Sequence, residues 1–298
     1  MTTINEPQKL AIYYGWPSAV NGAGGNVNTA VLTFKEYDLV VFGAGLEDPA
    51  HGDHANTNAI INHVDMAGTK VFGYIDATLT LNSIQEKIDA WESMGVYGIF
   101  LDQFGYDFGV NREKQREIVW CIHEKNGLKA YVNAWNVDDV FDNAVNPTYN
   151  PAGLDTRLEA GDYYLAESFA IMNGAYDDTD SDSNGIKDFQ DKADKMNNYK
   201  STFGVLMTAC TTADSSPFDQ AKADYSYFAS LMNEFDAWCY GEEFFSASSA
   251  SLPMVTRKPY SGSKFTGPIV HNAGVFTRQT NVGIEVDTVN HTADTDLD

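Results

Sequence analysis

The sequence predicts an α/β fold, a (β/α)8 TIM barrel followed by a C-terminal extended or β arm. Eight short apolar segments alternate with amphipathic segments over about 240 of the 298 residues. The apolar segments lack polar alternation, which is typical of parallel strands that helices cover on one side and a core covers on the other. No GxGxxG or GxxxxGK[ST] motif follows an early strand, and this favours a closed barrel over an open nucleotide-binding sheet.

Each predicted strand is a run of apolar and aromatic residues that ends at a polar or glycine-containing turn. Amphipathic helices follow the strands, for example "LNSIQEKIDAWESMG" after the third and "NREKQREIVWCIHEKNG" after the fourth. The fifth strand is followed by a segment, "VDDVFDNA", that begins only a short helix. The eight predicted strands cover 9–16, 38–45, 70–78, 98–102, 129–136, 162–169, 203–211 and 235–243.

The composition limits the partners of the chain. With 19 basic and 42 acidic residues the formal charge is −23, which disfavours binding to nucleic acid or to anionic membranes. No run approaches the roughly 20 apolar residues that span a bilayer, and "MTTINEPQKL" lacks the pattern of a signal peptide. We therefore expect a soluble chain with no nucleic-acid partner and no membrane insertion.

The character of the sequence changes near residue 246. "SASSASLPMVTRKPYSGSKFTGP" is rich in Ser, Gly and Pro and predicts a linker, whereas "VFTRQTNVGIEVDT" alternates like one or two short strands. We predict a barrel over 1–245 and an arm over 246–298. The arm is too polar to form its own core, so we expect it to pack on the barrel or on a partner subunit.

Chemistry in such barrels takes place where the carboxyl ends of the strands converge. Asp102 ends the apolar run "GIFL", and Glu167 follows the apolar run "YYLA". Both are predicted catalytic groups, although Asp102 could instead cap the next turn. Residues predicted to bind substrate at the same end are Tyr14, Tyr74, Asp76, Gln103, Asp107, Asn133, Trp135 and Tyr240.

This set of carboxylates, amides and aromatic rings suits carbohydrate chemistry. Glycoside hydrolysis uses two carboxyl groups, one protonated and one ionised, on either side of the scissile bond. Aromatic rings and amides can hold the sugar. Several of these predicted substrate-binding residues have other interpretations. Asp76 could cap the following helix, and Tyr74 or Asn133 could be hydrogen-bonded polar groups of the core.

Several stretches resemble the spherulin-4-like and related glycosidase-like barrels. These are "AIYYGWP", "YDLVVFGAGLED", "KVFGYIDAT", "GVYGIFLDQFGYD" and "DYYLAESF", within about 9–245. The resemblance implies cleavage of an extracellular polysaccharide, such as an amino-sugar polymer, with Asp102 and Glu167 as the catalytic pair. In that pattern the strand 4 acid is followed by Glu, whereas here Gln103 follows it. The proton donor would then be Glu167 or Asp107, or catalysis would have been lost.

A second motif lies in the connection after the sixth strand. "DSDSNGIKDFQD" (180–191) spaces oxygen ligands as a calcium loop does, with glycine at its sixth position. It resembles the loops of thrombospondin type 3 repeats and of dockerins. The predicted ligands of a structural Ca²⁺ ion are Asp180, Asp182, Asn184, the Ile186 carbonyl, Asp188 and Asp191. The loop closes on Asp rather than Glu, which predicts a weak site of the extracellular type.

Together these features predict a calcium-bearing glycoside hydrolase that acts on a polysaccharide outside the cell or on a virion surface. Assembly in a host cytoplasm would explain the missing signal peptide, and the arm would attach to other virion or surface subunits. The alternative is a non-catalytic decoration or carbohydrate-binding protein on the same barrel. A metal-dependent hydrolase is a weaker third reading, since His51, His54 and His63 show no HExxH-like spacing.

Overall fold

Eight parallel strands close into a barrel in the computed structural model of the chain. The structure describes residues 2–125, 127–213, 218–241, 243–247, 249–253, 255, 257–258, 260–262 and 264–295. Each strand pairs with the next along the chain, and the last pairs with the first. The predicted (β/α)8 fold is therefore confirmed.

Most barrel strands are shorter than the predicted segments, because those segments included part of an adjoining loop, while the fourth segment matches its strand. They are β1 (Gln8–Tyr13), β2 (Leu39–Phe42), β3 (Lys70–Asp76), β4 (Gly98–Asp102), β5 (Lys129–Asn133), β6 (Tyr163–Ala166), β7 (Leu206–Thr211) and β8 (Ala237–Tyr240). The helices are α1 (Val27–Phe34), α2 (His54–Ile61), α3 (Leu81–Ser93), α4 (Arg112–His123), α5 (Asp138–Phe141), α6 (Asp188–Phe203) and α7 (Gln220–Met232).

Side chains alternate between two apolar layers along each strand, as the pleat of a strand requires. Phe72, Phe100 and Tyr131 belong to the cluster that fills the barrel interior. Val71 and Ile99, on the opposite face of their strands, pack in the larger cluster between strands and helices. Both faces are buried, which explains why the strands read as continuous apolar runs.

The arm forms a small antiparallel sheet rather than one or two isolated strands. Its strands are β9 (Ile269–Asn272), β10 (Val275–Arg278), β11 (Ile284–Asp287) and β12 (Thr292–Asp294). Phe276, Ile284 and Val286 are buried in the same cluster as the outer layer of the barrel. Arg278 donates to the Met232 carbonyl at the end of α7 and, at 2.7 Å, to Glu234. The arm thus packs on the barrel of its own chain.

The described residues contain no helix that is long and apolar enough to cross a membrane. The three cysteines are free, and Cys210 and Cys239 are buried next to each other on β7 and β8.

Candidate functional site

Five predicted site residues lie on the inward face at the carboxyl ends of the strands. Each stands two positions beyond an interior apolar residue, so the alternation of the strand aims it into the mouth. The pairs of interior residue and site residue are Ile12 and Tyr14, Phe72 and Tyr74, Phe100 and Asp102, Tyr131 and Asn133, and Leu165 and Glu167.

Asp102 and Glu167 are joined by a single amide. The Asn133 Nδ2 donates to Asp102 Oδ1 at 2.9 Å and to Glu167 Oε2 at 2.6 Å. Those two oxygens are therefore at most about 5.5 Å apart, the sum of the two bonds. Asn133 is 7% exposed, so its amide is a fixed link between the two carboxyl groups.

Asp102 accepts two further hydrogen bonds. The Tyr74 hydroxyl donates to Oδ2 at 2.9 Å, and the backbone N–H of Gln103 donates to Oδ1 at 2.9 Å. The Tyr14 ring packs edge-on against Tyr74 with centroids 5.3 Å apart. Burial, and then the charge of Asp102, raise the pKa of both tyrosines well above the ordinary value, so both stay protonated at neutral pH.

Glu167 carries a raised pKa. Burial is the main cause and the nearby Asp102 charge adds to it, while the Asn133 hydrogen bond and Lys192 act in the opposite direction. Glu167 therefore holds its proton to a higher pH than an ordinary glutamate does.

Lys192 is a site residue that the sequence reasoning missed. Its pKa is lowered to about 8 because burial disfavours the charged amine, although Glu167 partly offsets this. The amine lies 5.2 Å from the centre of the Trp135 ring. Trp135 itself is 58% exposed, at the rim of the mouth.

A cavity of about 870 Å³ lies beside Glu167, Lys192 and Trp135. Glu167 and Lys192 line it together with the apolar side chains of Trp135, Phe169 and Phe189. Another cavity, of about 990 Å³, lies at the opposite end of the barrel under the arm. Its Arg and Lys side chains are paired, Arg278 with Glu234 and Lys200 with Asp236, and it lies away from the strand ends where such barrels carry their chemistry, so the smaller cavity is the better candidate site.

Three predicted substrate-binding residues have other placements. Asp76 is beside Asp102 in register, but its carboxylate accepts from the backbone N–H and hydroxyl of Thr78, as the capping interpretation expects. Asp107 is exposed in a 3-10 turn, Tyr106–Phe108. Tyr240 is buried in the outer layer, because it alternates with the inward-facing Cys239.

The loop predicted to bind calcium is held together by its own hydrogen bonds. Asp180 accepts from the backbone N–H groups of Asn184 and Gly185, and the Asn184 amide donates to Asp182 and Asp191. Asp188 instead accepts from the backbone N–H and hydroxyl of Ser181.

The structure does not support the calcium site. Within the described ranges, which include the whole loop, no group of three or more His, Cys, Asp or Glu side chains could hold a metal ion. One physical reason is that the carboxylate of Asp188, the first residue of α6, already accepts two hydrogen bonds from Ser181. The prediction that Asp180, Asp182, Asn184, Ile186, Asp188 and Asp191 bind calcium is therefore without support here.

The fold and the mouth define an enzyme-like TIM barrel, whose inward polar groups gather at the end where such barrels carry their chemistry. No family model and no curated protein matches the chain, so the likeness to spherulin-4-like barrels stays a prediction.

Solved structures do resemble the chain. The HpcH/HpaI aldolase from Desulfitobacterium hafniense DCB-2 is 12% identical, over 80% of this chain and 88% of that one, with a TM-score of 0.43. The rubisco-like protein from Burkholderia fungorum is 11% identical, over 80% of this chain and 55% of that one, also at 0.43. PhdJ bound to a substrate intermediate is 12% identical, over 82% and 69%, at 0.40.

These comparisons correct the prediction of a glycoside hydrolase and of its carbohydrate-binding or virion-decorating alternative. The similar structures are named as an aldolase and a rubisco-like protein, and nothing in them supports a glycosidase or a virion protein. Likeness at this level shows the barrel alone. The reaction has to be argued from the side chains at the mouth.

Proposed function

We propose that the chain is an acid–base enzyme of the lyase or isomerase type, which moves a proton at the carbon next to a carbonyl group. The observation that carries the proposal is the shared Asn133 amide, which holds the Asp102 and Glu167 oxygens at most about 5.5 Å apart. A substrate atom beside the pair can lose a proton to one carboxyl group and receive it from the other.

The two carboxyl groups have different surroundings, which suits different roles. Burial raises the pKa of Glu167 above that of an ordinary glutamate, which suits it to the role of proton donor. Asp102 accepts hydrogen bonds from Tyr74, Asn133 and the backbone of Gln103. These donors fix its orientation as the proton acceptor.

Neither Asp102 nor Glu167 forms an ion pair with a basic side chain of the described residues. Within the described part of the chain, no Lys, Arg or His nitrogen lies within 4 Å of Asp102 or Glu167. Buried carboxylates that serve stability are usually paired with a cation. The absence of such an ion pair, together with the position of Glu167 in the wall of a cavity of about 870 Å³, favours a role in chemistry.

The test is deuterium exchange. The full chain is incubated in D₂O with a panel of small aldehydes, ketones and 2-oxo acids, and NMR follows the hydrogens next to each carbonyl group. We expect Glu167→Gln and Asp102→Asn each to slow exchange by about 10²–10⁴-fold.

Glu159→Gln is the matched control, because Glu159 is an exposed carboxylate just before the opposite end of β6. This variant should exchange as the native chain does. Absence of enzyme-dependent exchange across the panel, or equal rates in the Glu167 and Glu159 variants, would refute the proposal.

A further inference from the structure

Lys192 is a lysine on the buried stripe of α6. It lies three residues after Phe189 and four before Met196, both of which are buried. On a helix this spacing places the three side chains on one face. The Lys192 stem therefore runs along the apolar side of the helix, and its amine reaches the cavity instead of the outer surface.

The amine has no hydrogen-bonding or ionic partner there. Among the described residues, the Lys192 side-chain amine makes no hydrogen bond and has no carboxylate oxygen within 4 Å. The amine of Lys195, on the same helix, instead pairs with Asp138 at 2.6 Å. Its contacts are with the faces of Trp135, at 5.2 Å, and Tyr164, at 6.0 Å. An amine that lines a cavity and is not neutralised by a carboxylate is available as a nucleophile.

The acid that an amine nucleophile needs is close by. Glu167 and Lys192 line the same cavity, and each affects the electrostatic environment of the other. Trp135, Phe169 and Phe189 form the apolar part of the cavity wall, where an aldehyde or ketone with an apolar group could pack beside the amine.

We propose that Lys192 is a catalytic nucleophile that forms an imine with an aldehyde or ketone substrate. The nitrogen lone pair of the neutral amine bonds to the carbonyl carbon as the C=O π bond breaks, and one of the two amine protons passes to the carbonyl oxygen to give a neutral carbinolamine. Glu167 donates a proton to the hydroxyl group, water leaves, and a protonated imine remains. The carbon next to the imine then loses a proton more readily, and hydrolysis later returns the amine.

This inference rests on the proposed proton-transfer function and names its substrate class. It also adds a covalent step that the carboxyl pair alone does not require. Imine formation and proton exchange are separate observables, so each can fail without the other.

The test is reductive trapping on the full chain at pH 8, with benzaldehyde as the probe and sodium cyanoborohydride as the hydride donor. The hydride reduces the imine to a stable benzylamine, which intact mass and peptide mapping locate. At limiting benzaldehyde we expect one benzyl group per chain, on Lys192, at a rate at least tenfold above that of Lys195.

Lys192→Met should lose this label, and Lys195→Met should keep it. If Lys192→Met does not fold, Lys192→Arg keeps the charge and length and serves in its place. Labels spread evenly over surface lysines, no label, or a label unchanged by the Lys192 substitution would overturn the inference. Glu167-dependent exchange without a Lys192 label would refute the imine alone, while a Lys192 label without exchange would refute the proton-transfer function alone.

Discussion

Gln103 and Ser168 both have a positive φ, and each directly follows one of the two carboxyl residues in the chain. Gln103 follows Asp102 with φ 56°, and Ser168 follows Glu167 with φ 59°. Left-handed backbone at a residue other than glycine costs on the order of 1–3 kcal/mol and tends to occur at functional sites. At the ends of β4 and β6 the backbone therefore leaves the strand direction at the residue that directly follows the carboxyl group.

The first prediction concerns this backbone strain. Gln103→Gly should raise the free energy of unfolding by about 0.5–1 kcal/mol, because glycine adopts positive φ without strain. The greater entropy of glycine in the unfolded chain offsets only part of this gain. Urea unfolding measures the change. Ser201→Gly, at an exposed helical position of α6, should lower the same free energy by about 0.5–1 kcal/mol. Two changes of the same sign would contradict the prediction.

The second prediction concerns the shared amide. The Asn133 hydrogen bond lowers the pKa of Glu167, so Asn133→Ala should raise that pKa further. Carbon-detected NMR of the Glu167 carboxyl group would follow the titration. Asn136→Ala is the control, because Asn136 binds Asp139 instead. An unchanged or lowered Glu167 pKa in Asn133→Ala would mean that the amide does not stabilise the ionised carboxyl group.

The third prediction links Glu167 to stability. Its pKa is raised above the usual 4.5, so between the two pKa values the folded chain binds a proton that the unfolded chain has lost. The stability that Glu167 contributes is fully present below the pKa that it has in the unfolded chain. This contribution is lost as the pH rises through the higher pKa that it has in the folded chain. Glu167→Gln is neutral at every pH and escapes that loss.

We therefore expect Glu167→Gln to become more stable relative to the native chain as the pH rises from 4 to 8. Urea midpoints of the two proteins across that range measure the difference. Glu159→Gln should show no comparable trend, since Glu159 is exposed. If Glu167→Gln instead became less stable relative to the native chain as the pH rose, Glu167 would be stabilised as an anion in the folded state.

The sequence predicted the barrel and most of its mouth because both depend on local alternation. Asp102, Asn133 and Glu167 each follow an interior apolar residue by two positions, and the strands place them together. The same rule, applied to "AWCY", would have shown that Tyr240 shares its face with Trp238 and points outward. That prediction failed because it counted position along the strand and neglected the face.

The position of Lys192 and the state of the predicted calcium loop could not be derived from the sequence alone. Lys192 interrupts the apolar stripe of α6, between Phe189 and Met196, and that interruption was its signal. Its approach to Glu167 depends on how α6 packs against the mouth, which spacing within one helix cannot show. In the loop, the spacing of the ligands matches that of a calcium site, but the Asp188 carboxylate accepts a hydrogen bond from the backbone N–H of Ser181.

The fourth prediction concerns the wall that supports the mouth. Gly73 on β3 lies directly beneath the Trp91 ring of α3, and a Cβ atom at Gly73 would come within 2.1 Å of that ring. Trp91 is fully buried and its indole N–H donates to the Tyr74 carbonyl at 3.1 Å, so the ring cannot move away cheaply. Gly73→Ala should lower the free energy of unfolding by about 2–3 kcal/mol through overpacking.

Gly68→Ala is the matched control, because a Cβ atom there meets no atom within 4 Å and the change should stay within about 0.5 kcal/mol. Since Tyr74 adjoins Gly73 and donates to Asp102, Gly73→Ala should also slow the proton exchange expected at the mouth. Urea unfolding of both variants measures the first effect, and deuterium exchange measures the second. Equal stability of the two variants would show that the packing of Trp91 against β3 tolerates a methyl group, and the tight contact would then have no role in positioning Tyr74.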